Sequence, residues 1–255
     1  IENLARSVQD AQALIDSLYG AWNGFRIRGD LIRALPLARR LVTVTAGGSP
    51  FERVIAHQSA AMTLLFSGSY AASFCQARAR MRLCSPKLDR EVVERFQRSA
   101  MVWLYSVAGV AAGALGYTRT AQALAAHGLS TAQALGHAAS IGGALGLASF
   151  LGALMDRPPE VASSCEQFFR LSPDDALSNW RPIMECFSGW TRMRQSGHDE
   201  GFAAMERGLV DMDRTGVRIG RTSLLLLLAE GYLLRGKLAE CIETGMAAVQ
   251  HANSS

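Results

Sequence analysis

The stretch SAMVWLYSVAGVAAGALGY, Ser99 to Tyr117, carries no charged residue, and beyond Arg119 the chain stays uncharged as far as Asp156. Two readings compete for it: a pair of membrane spans, or the shielded interior of an all-helical stack. Its apolar content is rich in Ala, Gly and Ser and poor in Ile, which suits close helix approach more than lipid contact. The two apolar runs are separated by YTRTAQALAAHGLSTAQALGH, residues 117–137, which is too polar to lie in hydrocarbon. The run Leu224–Leu228 is bounded by Arg221, Glu230 and Arg235, well short of the ~20 residues of a span. A helix in the middle of a stack is covered on several sides and becomes apolar nearly all round. The sequence therefore predicts helix packing and no membrane insertion.

A repeated grammar supports that choice. RIRGDLIRALPLA, LFSGSYAASFCQA, GALGYTRTAQALA, ALMDRPPEVASSC, MRQSGHDEGFAAM and LLRGKLAECIETG each join an apolar segment to an amphipathic one through a short turn. Anchored on Gly29, Gly68, Gly116, Asp156, Gly197 and Gly236, the steps are 39, 48, 40, 41 and 39 residues. A fixed period of this length is the mark of a repeat architecture. Each unit reads as two antiparallel helices, the first ending at the anchor. First helices are expected near 8–28, 50–67, 90–115, 137–155, 176–195 and 221–235, second helices near 31–45, 70–84, 118–135, 158–171, 199–214 and 238–252. The units then run over about 8–45, 50–84, 90–135, 137–171, 176–214 and 221–252, within one domain of residues 1–255. Alternating β-branched runs are nearly absent, so the expected class is all-α.

Totals narrow the function classes. The net charge of +4 is uneven: residues 1–100 hold 14 Lys/Arg against 8 Asp/Glu, the remainder 12 against 14. The basic half invites a nucleic-acid reading, but Arg78, Arg80 and Arg82 alternate, and on a helix Arg80 points away from the other two. No direct nucleic-acid contact is expected. Cys75, Cys84, Cys165, Cys186 and Cys241 are odd in number, and none forms a CxxC or stands at metal-finger spacing from a histidine. Buried thiols in a reducing cytoplasm are the expectation. The start at Ile1 has no basic n-region followed by an apolar core, so no signal peptide is expected. A start at Ile1 in helical character leads to the expectation of a piece of a longer protein that continues past Ser255.

Catalytic constellations are missing parts. The five histidines form no HxxxH or HExxH pattern, so neither a metal nor a cofactor is expected. His57, beside Gln58, falls on the packing side of its helix by the repeat register. His137 follows Gly136 at a helix start, where a capping role suffices. GALG at 113–116 and GGALG at 142–146 follow no strand and read as close-packing glycines. Asp174-Asp175 after Ser172-Pro173 reads as a helix cap. The serines lack an accompanying base, and the chain reads as a non-enzyme.

With Gly29 followed by Ala34, and Gly116 by Ala121, the array resembles tetratricopeptide repeats, with units longer than that motif's ~34 residues. The resemblance implies a right-handed solenoid of about six antiparallel helix pairs. A narrower resemblance rests on GAWNGFRIRGDLIRALPLARR, FERVIAHQSAAMTLLFSG, ERFQ, ALGYTRTAQALAAHGLSTAQALGHAAS and NWRPIMECFSGWTRMRQSG. These segments look like the C-terminal repeat region of bacterial multidomain regulators. In those proteins a winged-helix or adenylate cyclase domain precedes a STAND-type ATPase and then such repeats. Neither a GxxxxGK[ST] loop nor a basic recognition helix occurs here, so ATP hydrolysis and DNA binding would belong to fused domains.

The first resemblance also implies where a ligand binds, since the first helices of such pairs line the concave groove. Counting back 13, 10, 6 and 3 residues from each anchor gives Asp16, Tyr19, Asn23 and Arg26 in unit one. The same count reaches Gln58 and Met62 in unit two, and Trp103 and Ser106 in unit three. Unit four is bland, with Gly143, Gly146, Phe150 and Ala153. Unit five gives Met184, Phe187, Thr191 and Arg194, and unit six gives Glu230. Trp22, Trp180 and Trp190 fall off this face and are expected to staple helices together. The implied role is an effector-sensing module that takes a small-molecule inducer, with docking of a partner helix or peptide in the same groove as the alternative.

Overall fold

The computed structural model describes residues 11–171, 177–196 and 199–254. The anchor Gly197, His198 and the pair Asp174-Asp175 lie outside the described residues. Thirteen α-helices and no strand occur among the described residues, so the chain is all-α with a repeat-like helical build. They are α1 (Ala11–Ile27), α2 (Leu31–Val44), α3 (Pro50–Phe66), α4 (Tyr70–Met81), α5 (Pro86–Phe96), α6 (Ala100–Ala114) and α7 (Thr118–Leu135). There follow α8 (Ala138–Leu154), α9 (Pro158–Phe169), α10 (Arg181–Ser196), α11 (Asp199–Thr215), α12 (Arg221–Leu234) and α13 (Leu238–Asn253).

Five anchors build one and the same turn. Gly29, Gly68, Gly116, Asp156 and Gly236 have φ of 72°, 75°, 83°, 52° and 69°, the left-handed region that terminates a helix. One residue on, the N–H of Asp30, Ser69, Tyr117, Arg157 and Lys237 donates at 2.8–3.0 Å to the carbonyl five residues back. That residue is also the N-cap of the next helix. One helix thus ends and its partner starts within about three residues. Asp156 is the one non-glycine among the five, a residue type that tolerates this geometry. Five positions past the anchors, Ala34, Ser73, Ala121 and Val161 are fully buried. There the second helix returns against the first: the Ser73 hydroxyl donates to the Ala61 carbonyl at 2.7 Å.

One sequence expectation is corrected. The first helix expected near 90–115 is two helices, α5 and α6, which accounts for the long 48-residue step. The break lies at Gln97, which takes φ 52° without the help of a glycine, and Ser99 then caps α6. Ser85 and Pro86 open α5 as N-cap and first residue. Asp89 on α5 holds the corner. Its buried carboxylate accepts from the Ser99 hydroxyl at 2.5 Å and from the Met101 N–H at 2.9 Å.

The chain divides into two compact units, Ile1–Arg26 with Asp30–Ser140, and Ile27–Gly29 with Ile141–Ser255. In the first, α2 packs on α3 and α3 on α4, while α6 is packed by α3, α4, α5 and α7. Four neighbours leave α6 buried from Val102 to Leu104 and from Ser106 to Ala112, the physical reason it carries no charge. Trp22, fully buried, ties α1 to α3 by donating from Nε1 to the Thr63 hydroxyl at 2.8 Å.

In the second unit α10 packs against α9, α11 and α12, and α12 against α13. Small residues set the spacing of α10 and α11: a Cβ on Gly189 would stand 2.6 Å from the Gly201 carbonyl oxygen. Trp180 covers Gly146, and Leu177 and Phe168 cover Gly142, so GGALG is a packing surface. On α13, Leu238, Ile242, Met246 and Val249 form an exposed apolar stripe at helical spacing. No described helix is long and apolar enough to cross a membrane.

Because Asp89 answers two donors at the α5–α6 corner, Asp89→Ala removes two charge-assisted hydrogen bonds. The expected loss is about 2–4 kcal/mol of unfolding free energy, read from urea denaturation. A loss under about 0.5 kcal/mol would show that the corner holds without it.

Candidate functional site

Helix spacing brings Tyr19, Asn23 and Arg26 to one face of α1, and Trp22, expected off that face, stands against Tyr19 and Arg26. Trp22 fixes that face against α3, so its neighbours are positioned by a buried hydrogen bond. Tyr19 packs on Trp22 and on Phe96 of α5, with ring centroids 5.2 and 4.3 Å away. The Arg26 guanidinium lies over Trp22, 5.4 Å from the ring centroid, and donates from Nη2 to Asn23 Oδ1 at 2.8 Å. The α5–α6 corner then delivers Arg98 to the same amide oxygen, at 3.2 Å. Arg98 also lies over the rings of Tyr19 and Trp103, 5.8 Å from each centroid. Asn23 therefore stands between two guanidiniums amid four aromatic rings.

The electrostatics of this cluster are unbalanced. Arg26 is 6% exposed. Burial, and secondarily the Arg98 charge, push its pKa down to about 9, with Tyr19 opposing. Burial raises the Tyr19 phenol while Arg98 and Arg26 pull it back. Among the described residues neither guanidinium has a carboxylate partner, and the acid on the same helix, Asp16, pairs with Arg95. Buried atoms are also left over: Tyr19 Oη, Arg26 Nε and Arg98 Nη1 have no hydrogen-bond partner among the described residues. Gln58 on α3 is 1% exposed with both amide atoms unsatisfied. Buried polar groups are nearly always satisfied, so each orphan calls for a cause.

The other expected groove residues divide by unit. In the first, Met62 is buried in the core, and Ser106 stands at the α6–α7 crossing against Gly128. In the second, Met184 and Phe187 are fully buried, Phe187 meeting Phe150 edge to face at 4.9 Å. The Thr191 hydroxyl donates to the Ser188 carbonyl of its own helix. Arg194 is neutralised, donating to Glu230 at 2.8 Å and Asp156 at 2.5 Å. Glu230 also accepts from Trp190 Nε1 at 3.0 Å, tying α10 to α12. The structure thus unites Tyr19, Asn23, Arg26 and Trp103 in one cluster, and Arg194 with Glu230 in a second, internally paired one. Arg98 escaped the spacing argument because it lies on a corner, outside any helical register. The step of 48 residues and a serine cap before an apolar run were the available signals.

A cleft of about 690 Å³ is lined by Ser49, Phe51, Lys87, Glu91 and Arg95, with charges of both signs. Among the described residues no group of three potential metal ligands occurs. His57 meets Gln76 through Nδ1 at 2.5 Å and touches no nucleophile in that contact. His137 pairs with Ser140 Oγ at 2.9 Å at the start of α8. Burial raises the thiols of Cys84, Cys165 and Cys186 to about 12, so they are protonated at neutral pH. No family model and no curated protein sequence matches the chain.

Burial, with Arg80 and Arg53 assisting, holds the His57 pKa below its ordinary value against the opposing Gln76 bond, and His251 is lowered by burial and Arg221. The unfolded chain therefore takes up these protons first as pH falls below about 6.5, and stability falls with it. Urea midpoints should decline between about pH 7 and 5.5, with a shallower decline in His57→Gln. An unchanged slope in that variant would remove His57 from the titration.

Proposed function

We propose that this chain is a non-catalytic effector-binding module of a bacterial transcriptional regulator. It is a single repeat domain, a right-handed tetratricopeptide-like solenoid of about six antiparallel helix pairs working in the cytoplasm. A small-molecule inducer occupies its concave groove, and occupancy is relayed to fused ATPase and DNA-binding or cyclase domains. One observation carries the reading: the face of α1 expected to line the groove presents Tyr19 and Arg26, buried, with polar atoms that the described residues leave unanswered. A site built to receive a polar ligand has this character, a mostly apolar aromatic wall with a few convergent polar groups. The repeated left-handed turns support the repeat reading.

A second reading, protein docking, is favoured by a different feature. Leu238, Ile242, Met246 and Val249 leave α13 with an exposed apolar face of the kind a partner helix covers.

Thermal-shift screening of the chain against small metabolites separates the two. Effector binding raises Tm by mass action, by about 2.7 kcal/mol of stability at a hundredfold excess over Kd. Trp103→Ala, at the edge of the arginine cluster, is expected to weaken that response and, because the ring is buried, to cost about 3–5 kcal/mol of stability. Silence from every compound, with retention of a helical partner that Ile242→Glu abolishes, would install docking in its place.

A further inference from the structure

The identity of the effector's headgroup is legible in the charge balance of the α1 cluster. Arg26 and Arg98 approach one acceptor, Asn23 Oδ1, and their like charges face each other with no acid between them among the described residues. A buried cation lacking a counter-charge is costly, and a second one beside it raises the cost. The chain resolves the same problem elsewhere by pairing: Arg194 meets both Glu230 and Asp156, and Arg221 meets Asp213 at 3.0 Å. At Arg26 the described residues supply an amide oxygen and no carboxylate.

The leftover atoms tell what would complete the set. Among the described residues, Arg26 Nε and Arg98 Nη1 are donors without acceptors, and Tyr19 Oη is a hydroxyl without a partner. Three donors within one cluster match an oxyanion, which accepts several hydrogen bonds and brings a negative charge. The surroundings are Tyr19, Trp22, Phe96 and Trp103, planar and apolar. They suit the body of a small aromatic molecule more than a free inorganic ion.

We infer that the α1 cluster binds a small aromatic anion, its carboxylate or phosphate headgroup held by Arg26, Arg98 and the Tyr19 hydroxyl. This rests on the effector-binding reading above and narrows it to a ligand class.

The test uses the full chain in chloride buffer of fixed ionic strength. Benzoate, phenyl phosphate, inorganic phosphate and the neutral benzamide are titrated by thermal shift and by tryptophan fluorescence, which Trp22 and Trp103 report. Saturable stabilisation by benzoate or phenyl phosphate, absent with benzamide, is expected, and which of the two acts tells carboxylate from phosphate. Affinity should fall about tenfold or more in Arg26→Met and Arg98→Met, with partial recovery in Arg26→Lys. Without ligand, Arg26→Met should melt no lower than the parent chain, because an uncompensated buried charge has gone. A purely structural arginine predicts the opposite, a drop of several degrees.

The inference is overturned if neither aryl anion saturates, if Arg26→Met binds as tightly as the parent, or if inorganic phosphate matches both aryl compounds. Should a neutral metabolite stabilise the chain equally in parent and Arg26→Met, effector sensing survives while the anion assignment falls.

Discussion

Everything in this chain depends on ending one helix and starting its partner within about three residues. That is possible only where a residue accepts left-handed backbone and the following N–H reaches back to close the turn. Gly29, Gly68, Gly116, Asp156 and Gly236 do so with the same bond each time. Because the turn is short, the second helix is forced back along the first. At most of these turns its fifth residue from the anchor then meets the partner helix, which is why Ala34, Ser73, Ala121 and Val161 carry no exposed surface. Local backbone chemistry thereby sets the crossing of the helices, and the crossing sets which side chains must be small.

The apolar middle of the sequence follows from the same constraint. Paired helices each leave a face open, and neighbours cover it. In the first unit α6 is the most covered, with helices on four sides. A charge on α6 would have no water to meet and no room for a partner, so Ala, Gly, Val and Ser fill it. α13, at the other extreme, keeps an uncovered apolar stripe, with Glu240, Glu243, Gln250 and Asn253 among its other exposed positions.

Most of this was legible in the sequence because turn signals and helical period are local properties. Eleven of the twelve expected helices are found close to their expected places, and Asp156 did what a glycine does elsewhere. The failure at 90–115 has a physical cause. Gln97 adopts left-handed geometry under tertiary control, since Asp89 holds Ser99 and Met101 on the far side of the bend. No glycine advertised the break. The site was legible to the same depth: a period of 3.6 brings Tyr19, Asn23 and Arg26 together, whereas Arg98 enters from a corner. Nor could spacing reveal that Arg194 and Glu230, 36 residues apart, would neutralise each other. Pairing across a fold is decided by packing, which a single-helix pattern does not contain.

The contrast between those two clusters is where fold and function part. Both lie at positions the repeat register assigns to the groove, and both contain arginine close to tryptophan. In the second unit the charges are satisfied inside the protein, so Arg194 and Glu230 link α10 to α12 and have little left to offer a ligand. In the first unit, Trp22 and the rings around it hold α1 firmly enough to keep two guanidiniums close with no carboxylate partner among the described residues. Tight packing that supports an unsatisfied polar cluster is a departure from local consistency, and such departures concentrate where a protein binds something. Under the proposed function, an arriving acceptor would release the energy withheld from folding at Arg26, so the chain would be less stable empty than occupied.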